Sequence, residues 1–266
     1  MVIGICPSAD GLEIGIWDFF MYISPSHPRA ASLKIRERLV WGVKKGLTST
    51  AGLLAHGRGE AFDYLIGEKT RVFAKKAIAA AAAHLILASH PILSINGNTA
   101  ALSAKEFIKL ARLIGGKIEV NLFHYTKKRV NIIENYLKKI DSHVLVRSSG
   151  KKQIIPHIAS LRKIVLQEGI GQADLVFVPL EDGDRTQALI SAGKKVITID
   201  LNPLSRTAQT ATVTIVDNIV RSIPQLIETV RLFKPYSRKK LKKIINGYNN
   251  QVVLAQAKEQ IYAMIK

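Results

Sequence analysis

Cysteine is almost absent from this chain: Cys6 is the only one among 266 residues. A single thiol closes no intramolecular disulfide and builds no Cys-x-x-Cys zinc site, so the disulfide-stapled secreted class is excluded and a reducing compartment fits. Long apolar runs are missing too. The most apolar stretch, Ala77 to Leu87, is mostly alanine, contains His84 and runs into His90 and Pro91. It is too short and too broken to cross about 30 Å of hydrocarbon. The amino end has no basic lead either, because Asp10, Glu13 and Asp18 precede the first basic residue, Arg29. That is not the pattern of a signal peptide. Aromatic residues are only 6% of the chain, which leaves few platforms for stacking nucleic-acid bases. A soluble cytoplasmic protein is the expectation.

What is present is enough apolar residue, 47%, to bury a full core, with 22% charged residues to cover it. The charge is one-sided, at +19 overall. From Arg231 to Lys266 nine basic residues face Glu259 alone, and the rest of the chain is basic as well. Such a chain favours a polyanionic partner: nucleic acid, a membrane surface, or a small phosphorylated substrate held in a site. Composition does not choose among the three.

Hydrophobic periodicity divides the chain in two. Residues 28 to about 90 read as helices, the first opened by Pro28 and closed by Gly46, with Leu33, Ile35, Leu39, Val40 and Val43 inward. Shorter helical pieces are expected at Ser49 to His56 and Glu60 to Ile66, each bounded by glycine, and an alanine-rich helix at Arg71 to Ser89. From Pro91 short apolar runs alternate with helices. Strands are predicted at Ile92 to Ile95, Ile118 to Phe123, His143 to Val146, Leu175 to Leu180, Val196 to Ile199 and Thr212 to Val216. Helices are predicted near Ala104 to Ile114, Lys127 to Lys139, Arg185 to Ala192 and Ile219 to Leu232. This alternation implies right-handed crossovers and a mostly parallel sheet, an α/β, Rossmann-like fold with a helical N-terminal region. The basic C-terminal segment adds an amphipathic helix with Leu241, Ile244, Ile245 and Tyr248 at helical spacing.

Ligands of an open parallel sheet bind outside the carboxyl ends of its strands. The residues just past those ends are polar: Asn96 to Thr99, Asn121 and His124, Glu181 to Thr186, Asp200 to Thr207, and Asp217-Asn218. Such residues also serve turns and helix caps, but five polar loops on one edge make a site the better reading. The Walker phosphate loop is absent. Gly57-Arg58-Gly59 begins like a dinucleotide fingerprint, yet it follows a helix and has Phe62 where the third glycine belongs. Phosphate would then be held by side chains and helix amino ends, with Arg29, Arg36, Lys45, Arg58, Arg185 and Arg206 as candidates. Arg58, flanked by glycines, stands out. No Ser-His or Cys-His pair marks a covalent nucleophile, and no metal-ligand spacing is found.

These loops carry a resemblance. Ser26-His27-Pro28-Arg29, Ala55 through Leu65, Ser94 to Ala101, Pro179 to Thr186 and Ile199 through Asn218 closely resemble the archaeal phosphopantothenate synthetases, also called 4-phosphopantoate-β-alanine ligases, from about Ile23 to about Leu232. The resemblance implies a homodimer that joins 4-phosphopantoate to β-alanine, consuming ATP, with Mg2+, to AMP and diphosphate on the route to coenzyme A. It implies ATP contacts from Arg36 and Arg58 and from Asp200, Leu201, Asn202, Ser205, Arg206, Asp217 and Asn218. Lys45, Asn96 and Asn98 are the candidates for the acid substrate. Asp184, or Asp182, would orient the amine or help hold magnesium, with loop capping as the other role for either. Residues 1–22 form an N-terminal extension with no family counterpart, so a functional start at Met21 is expected. Residues 23–232 are the family-like body, helical to residue 90 and Rossmann-like beyond, and 233–266 are a basic helical tail outside it. Deleting Arg238 to Lys266 is expected to leave turnover at high salt largely intact. Two rival readings remain: a basic nucleic-acid-binding protein, and an NAD-dependent oxidoreductase weakened by the missing fingerprint. Binding to specific nucleic acid or to membrane is not expected.

Overall fold

The computed structural model describes residues 23–144, 146–147, 149–158 and 160–265. The N-terminal extension and the start at Met21 lie outside the described residues. Three helices come first, α1 (Ala30–Lys44), α2 (Thr50–Ile66) and α3 (Val72–Leu87). Then follow β1 (Pro91–Ile95), α4 (Gly97–Ile114), β2 (Lys117–Val120), α5 (Lys127–Ile140) and β3 (Val146–Arg147). An antiparallel hairpin of β4 (Lys152–Ile154) and β5 (Ile164–Leu166) interrupts the alternation. It resumes with β6 (Leu175–Phe177), α6 (Gly183–Ser191), β7 (Lys195–Ile199), α7 (Arg206–Thr210), β8 (Val213–Ile215) and α8 (Ile219–Phe233). Two helices close the chain, α9 (Arg238–Asn246) and α10 (Asn250–Ile265).

The main sheet has six strands in the order β3-β2-β1-β6-β7-β8, and every pair in it is parallel. The chain winds outward from β1 to β3, returns to the other side of β1, and winds outward again. The expected Rossmann-like sheet is therefore present, with its reversal of strand order between β1 and β6. Both faces are covered, which explains why almost every residue of these strands is buried. Leu93, Ile95, Leu175 and Phe177 pack under α3, α4 and α8, while Ile92, Val176 and Val196 meet α6 and the hairpin on the other face.

Three expectations need correction, and one hairpin lies outside them all. The glycines of 52–59 do not split α2, which is one helix capped by the Ser49 hydroxyl and ended by Gly67 in the left-handed region. Gly52 is required by proximity: a Cβ there would stand 2.5 Å from Thr48 Oγ1 and 2.7 Å from Asn98 Oδ1. The strand expected at His143 to Val146 begins only at Val146, because Asp141 caps a turn by accepting from the His143 amide at 3.0 Å. The β4–β5 hairpin was not read from the sequence at all. The tail, finally, is part of the body. Helix α9 lies on α3, α10 lies against α2 and α3, and Leu241, Val253, Leu254 and Ala257 are buried. Asn250 accepts from the Thr214 amide at 2.8 Å and donates to the carbonyls of Ala208 and Ala211, so α10 closes the free edge of β8. Deleting residues 238–266 would strip that core and edge, whatever the salt.

The hairpin is held to the sheet by Glu119 of β2, whose carboxylate accepts from the amides of Leu166 (3.2 Å) and Ile170 (2.7 Å). Gly169 makes this possible, since a Cβ there would fall 2.0 Å from Glu119 Oε2. Burial pushes the Glu119 carboxyl up to about 7, against the pull of those two amides and the charges of Arg185 and Lys194. A carboxyl raised in the folded state binds more protons there than when unfolded. Its contribution is therefore full below the unfolded pKa and is lost as pH rises through about 7. In denaturant unfolding, wild type should lose about 2 kcal/mol relative to Glu119→Gln between pH 5 and pH 8, whatever constant cost the amide carries.

Candidate active site

A cleft of about 350 Å³ opens at the carboxyl ends of β2, β1 and β6, at the reversal of strand order. Its floor is the amino end of α4, where Asn96 Oδ1 caps the Thr99 amide at 3.0 Å and Asn96 Nδ2 donates to the carbonyls of Pro179 and Leu180. Those bonds hold Leu180 in the left-handed region (φ 55°), a strained conformation for leucine. One wall is α2, presenting Ala51, Gly52, Ala55 and Arg58 at helical spacing. Asn98 ties that wall to the floor, donating to Gly52 O at 2.8 Å and accepting from Thr48 Oγ1. The opposite wall is the stretch 122–124 with Arg129, and the third is Arg162 with Glu181 and Asp182.

The third wall is a buried charge cluster. Arg162, on the turn that enters β5, donates Nε to Asn121 (3.1 Å), Nη1 to Asp182 (2.6 Å) and Nη2 to Glu181 (2.7 Å). Arg185 reaches Glu181 from α6 and Ser94 from β1. Two arginines and two carboxylates cancel, and the Glu181 side chain has no exposed surface. Burial raises the Asp182 carboxyl, but Arg162 and the Arg185 amide outweigh it and hold it below the usual range. Asp182 is also the cap of α6.

Beyond the cleft, α2 continues along the carboxyl edge of the sheet. Gly59 meets Leu201, and the charge of Arg58 acts on Asp200, whose carboxyl burial pushes up. The 200–205 loop is wired internally: Asp200 accepts from Ser205 Oγ and the Asn202 amide, Asn202 accepts from the Leu204 amide, and Ser205 caps α7. A turn further along α2, Asp63 accepts from Asn218 Nδ2 at 2.8 Å and shares Arg221 with Asp217.

The sequence candidates thus fall into groups. Arg58, Asn96 and Asn98 line the cleft. Asp200, Leu201, Asn202 and Ser205 form the next loop, facing Arg58 and Gly59. Asp217 and Asn218 are buried, their side chains committed to Asp63, Arg221 and Thr70. Arg36 lies on α1 in a two-pronged pair with Glu60. Lys45 caps α1 and does not line the cleft. Asp184 is exposed and paired with Arg206, also outside the cleft; the capping role belongs to Asp182.

Sequence reading missed Arg129 and Arg162 in the walls. Arg129 follows Lys127-Lys128 at the start of a helix and reads as part of a solvated face. Arg162 lies in the stretch to which no element was assigned.

Strand reversal with an arginine-lined crevice at that point is where an open, Rossmann-like α/β fold binds its ligands. Comparison with known proteins narrows the class. A profile of the phosphopantothenate/pantothenate synthetase family matches residues 73–264. The 4-phosphopantoate–β-alanine ligase of Thermococcus kodakarensis is 51% identical over 233 residues, 88% of this chain and 89% of that protein. The ligase of the same name from Thermococcus onnurineus is 53% identical over 228 residues, 86% and 87% of the two chains. That of Methanosarcina mazei is 45% identical over 245 residues, 92% and 96%. This chain belongs to the phosphopantothenate/pantothenate synthetase family. The matched stretch includes residues 233–264, so the segment that the resemblance left outside the body lies inside the family. Membership leaves the nucleic-acid-binding reading without support. Among the described residues no helix is long and apolar enough to cross a membrane.

The buried cluster sets an expectation for stability. Glu181→Gln removes the carboxylate that the buried Arg185 guanidinium is paired with and one of the two that Arg162 holds, and should cost about 3–5 kcal/mol in denaturant unfolding. Asp184→Asn, which breaks the exposed pair with Arg206, should cost at most about 1 kcal/mol in the same measurement.

Proposed function

We propose that this protein condenses 4-phosphopantoate with β-alanine to 4'-phosphopantothenate, a cytoplasmic step toward coenzyme A, using ATP and releasing AMP and diphosphate. The observation that carries this reading, beside the family, is the cleft: Arg58 and Arg129 line it from different walls, and neither is paired with a carboxylate among the described residues. ATP and a phosphorylated acid repel one another, so a site that joins them needs fixed positive charge.

The substrate carboxylate attacks the α-phosphorus and expels diphosphate, giving an acyl-adenylate. The β-alanine amine then attacks the acyl carbon, AMP leaves, and the amine gives up a proton. Neither step uses a covalent bond to the protein. ATP is assigned to the side of α2 over β6, β7 and β8. Arg58 meets its phosphates there, with Arg36 once the exposed Glu60 pair opens, a pair worth at most about 1 kcal/mol. The loops of Asp200 to Asn202, Ser205-Arg206 and Asp217-Asn218 contribute mainly backbone groups, since several of their side chains are engaged. The acid is assigned to Asn96 and Asn98. Lys45 and Asp184 would have to move to take part. For magnesium, no group of three His, Cys, Asp or Glu side chains among the described residues could form a cage. Its ligands would then be phosphate oxygens and water.

The test is incubation with ATP, 4-phosphopantoate and β-alanine, following AMP and product. Formation of ADP in place of AMP would overturn the mechanism. Arg58→Lys keeps the charge but loses one of two parallel bonds to phosphate, and should lower kcat/KM by about 10- to 100-fold with an unchanged melting transition. We also infer a homodimer. Leu54 and Tyr64 of α2 and Tyr262 and Ile265 of the neighbouring α10 are exposed, an apolar face suited to a second copy. Sedimentation should give twice the chain mass, and Leu54→Glu combined with Tyr262→Glu should give the monomer.

A further inference from the structure

The family's name covers both a phosphorylated and an unphosphorylated product, so some feature of each member must decide which acid it takes. We propose that Arg129 reads the phosphate ester of the acid substrate and sets that preference, an assignment that rests on the ligase reading above.

Three arginines line the cleft, but only two have charge to offer. Arg162 spends its nitrogens on Asn121, Asp182 and Glu181. Arg129 is held differently: Nη1 donates to the His124 carbonyl at 2.8 Å and Nη2 to the Leu47 carbonyl at 3.1 Å. Carbonyls fix the orientation of a guanidinium and leave its charge uncancelled. Its Nε is buried without a partner, and burial lowers its pKa. A half-buried cation without an anion is costly, and a phosphate supplies the missing charge.

The surroundings fit a small dianion. A Cβ on Gly97 would stand 3.1 Å from Arg129 Nη2, so only the bare first residue of α4 separates the guanidinium from the helix amino end. Thr48 and Ser49 line the same part of the cleft. The sheet order separates this group from the nucleotide side, because β2 and β7 flank the β1–β6 pair on opposite sides. An acid lying over β1 and β2 places its phosphate at Arg129 and turns its carboxylate toward Arg58, where the α-phosphorus must be.

Steady-state kinetics of the full chain with 4-phosphopantoate and with pantoate, at saturating ATP and β-alanine, tests the assignment. Arg129→Gln should raise KM for 4-phosphopantoate by about 10- to 100-fold and lower the kcat/KM ratio of phosphorylated to unphosphorylated acid by a similar factor. KM for ATP should stay within about threefold, an indication that the fold and the nucleotide side are intact. Arg129→Lys keeps the charge without the planar fork, should give an intermediate ratio, and serves if the glutamine variant fails to fold. Calorimetric titration of 4-phosphopantoate without ATP should show the same loss of affinity. An unchanged ratio, with both acids slowed equally, would make Arg129 a structural residue and overturn the proposal. A rise in KM for ATP alone would move Arg129 to the nucleotide and overturn it too. Wild type that makes product from neither acid overturns the ligase reading, and this assignment with it.

Discussion

Glu181, with no exposed side-chain surface, lies between Arg162 and Arg185, and that one ion cluster arranges most of the cleft. It joins the β6 loop, the start of α6, the turn before β5 and, through Ser94 and Asn121, the ends of β1 and β2. Buried ions of this kind are poor stabilisers compared with apolar packing, so their value here is positional. They fix the third wall and cancel one another, and so keep Arg162 from competing with the open arginines for a ligand.

Helix α2 is the second organising element. It runs along the carboxyl edge of the sheet and meets in turn the cleft, the Asp200 loop and the Asp217-Asn218 turn. Gly52 on its inner side lets it lie close to Thr48 and Asn98, and Ala51 and Ala55 line the cleft beside it. Gly52 is thus a clearance and not a break, while a Cβ at Gly59 would make only an ordinary contact with Leu201. Gly57 is different, since nothing stands within 4 Å of a Cβ there.

The sequence was informative where periodicity and strand-end polarity act locally. Short apolar runs gave the six parallel strands, and polar loops after them marked the right edge of the sheet. What local pattern could not show was which polar groups already have partners. Asp217 and Asn218 sit in a strand-end loop, as a ligand contact would, yet their side chains bind Thr70 and Asp63 from distant parts of the chain. The same limit hid Arg129, whose inward turn depends on carbonyls at Leu47 and His124. It hid the hairpin as well, because β4 and β5 are three residues each and β4 is exposed. The tail misled for another reason: its lysines dominate the composition, while the few apolar positions that dock it decide where it goes.

The hairpin is attached differently from the strands it lies against. Its two strands bond to each other, and its polar ties to the six-stranded sheet include the side chains of Glu119, Asn121 and Arg162. Apolar contacts around Ile155 and Ile170 complete the joint. A unit secured in this way depends on side chains for its place, whereas the strands of the parallel sheet also hold one another through backbone bonds. One wall of the cleft therefore keeps its place through side-chain bonds, and a substitution at Glu119 or Asn121, outside the charged cluster itself, reaches the cleft through that wall.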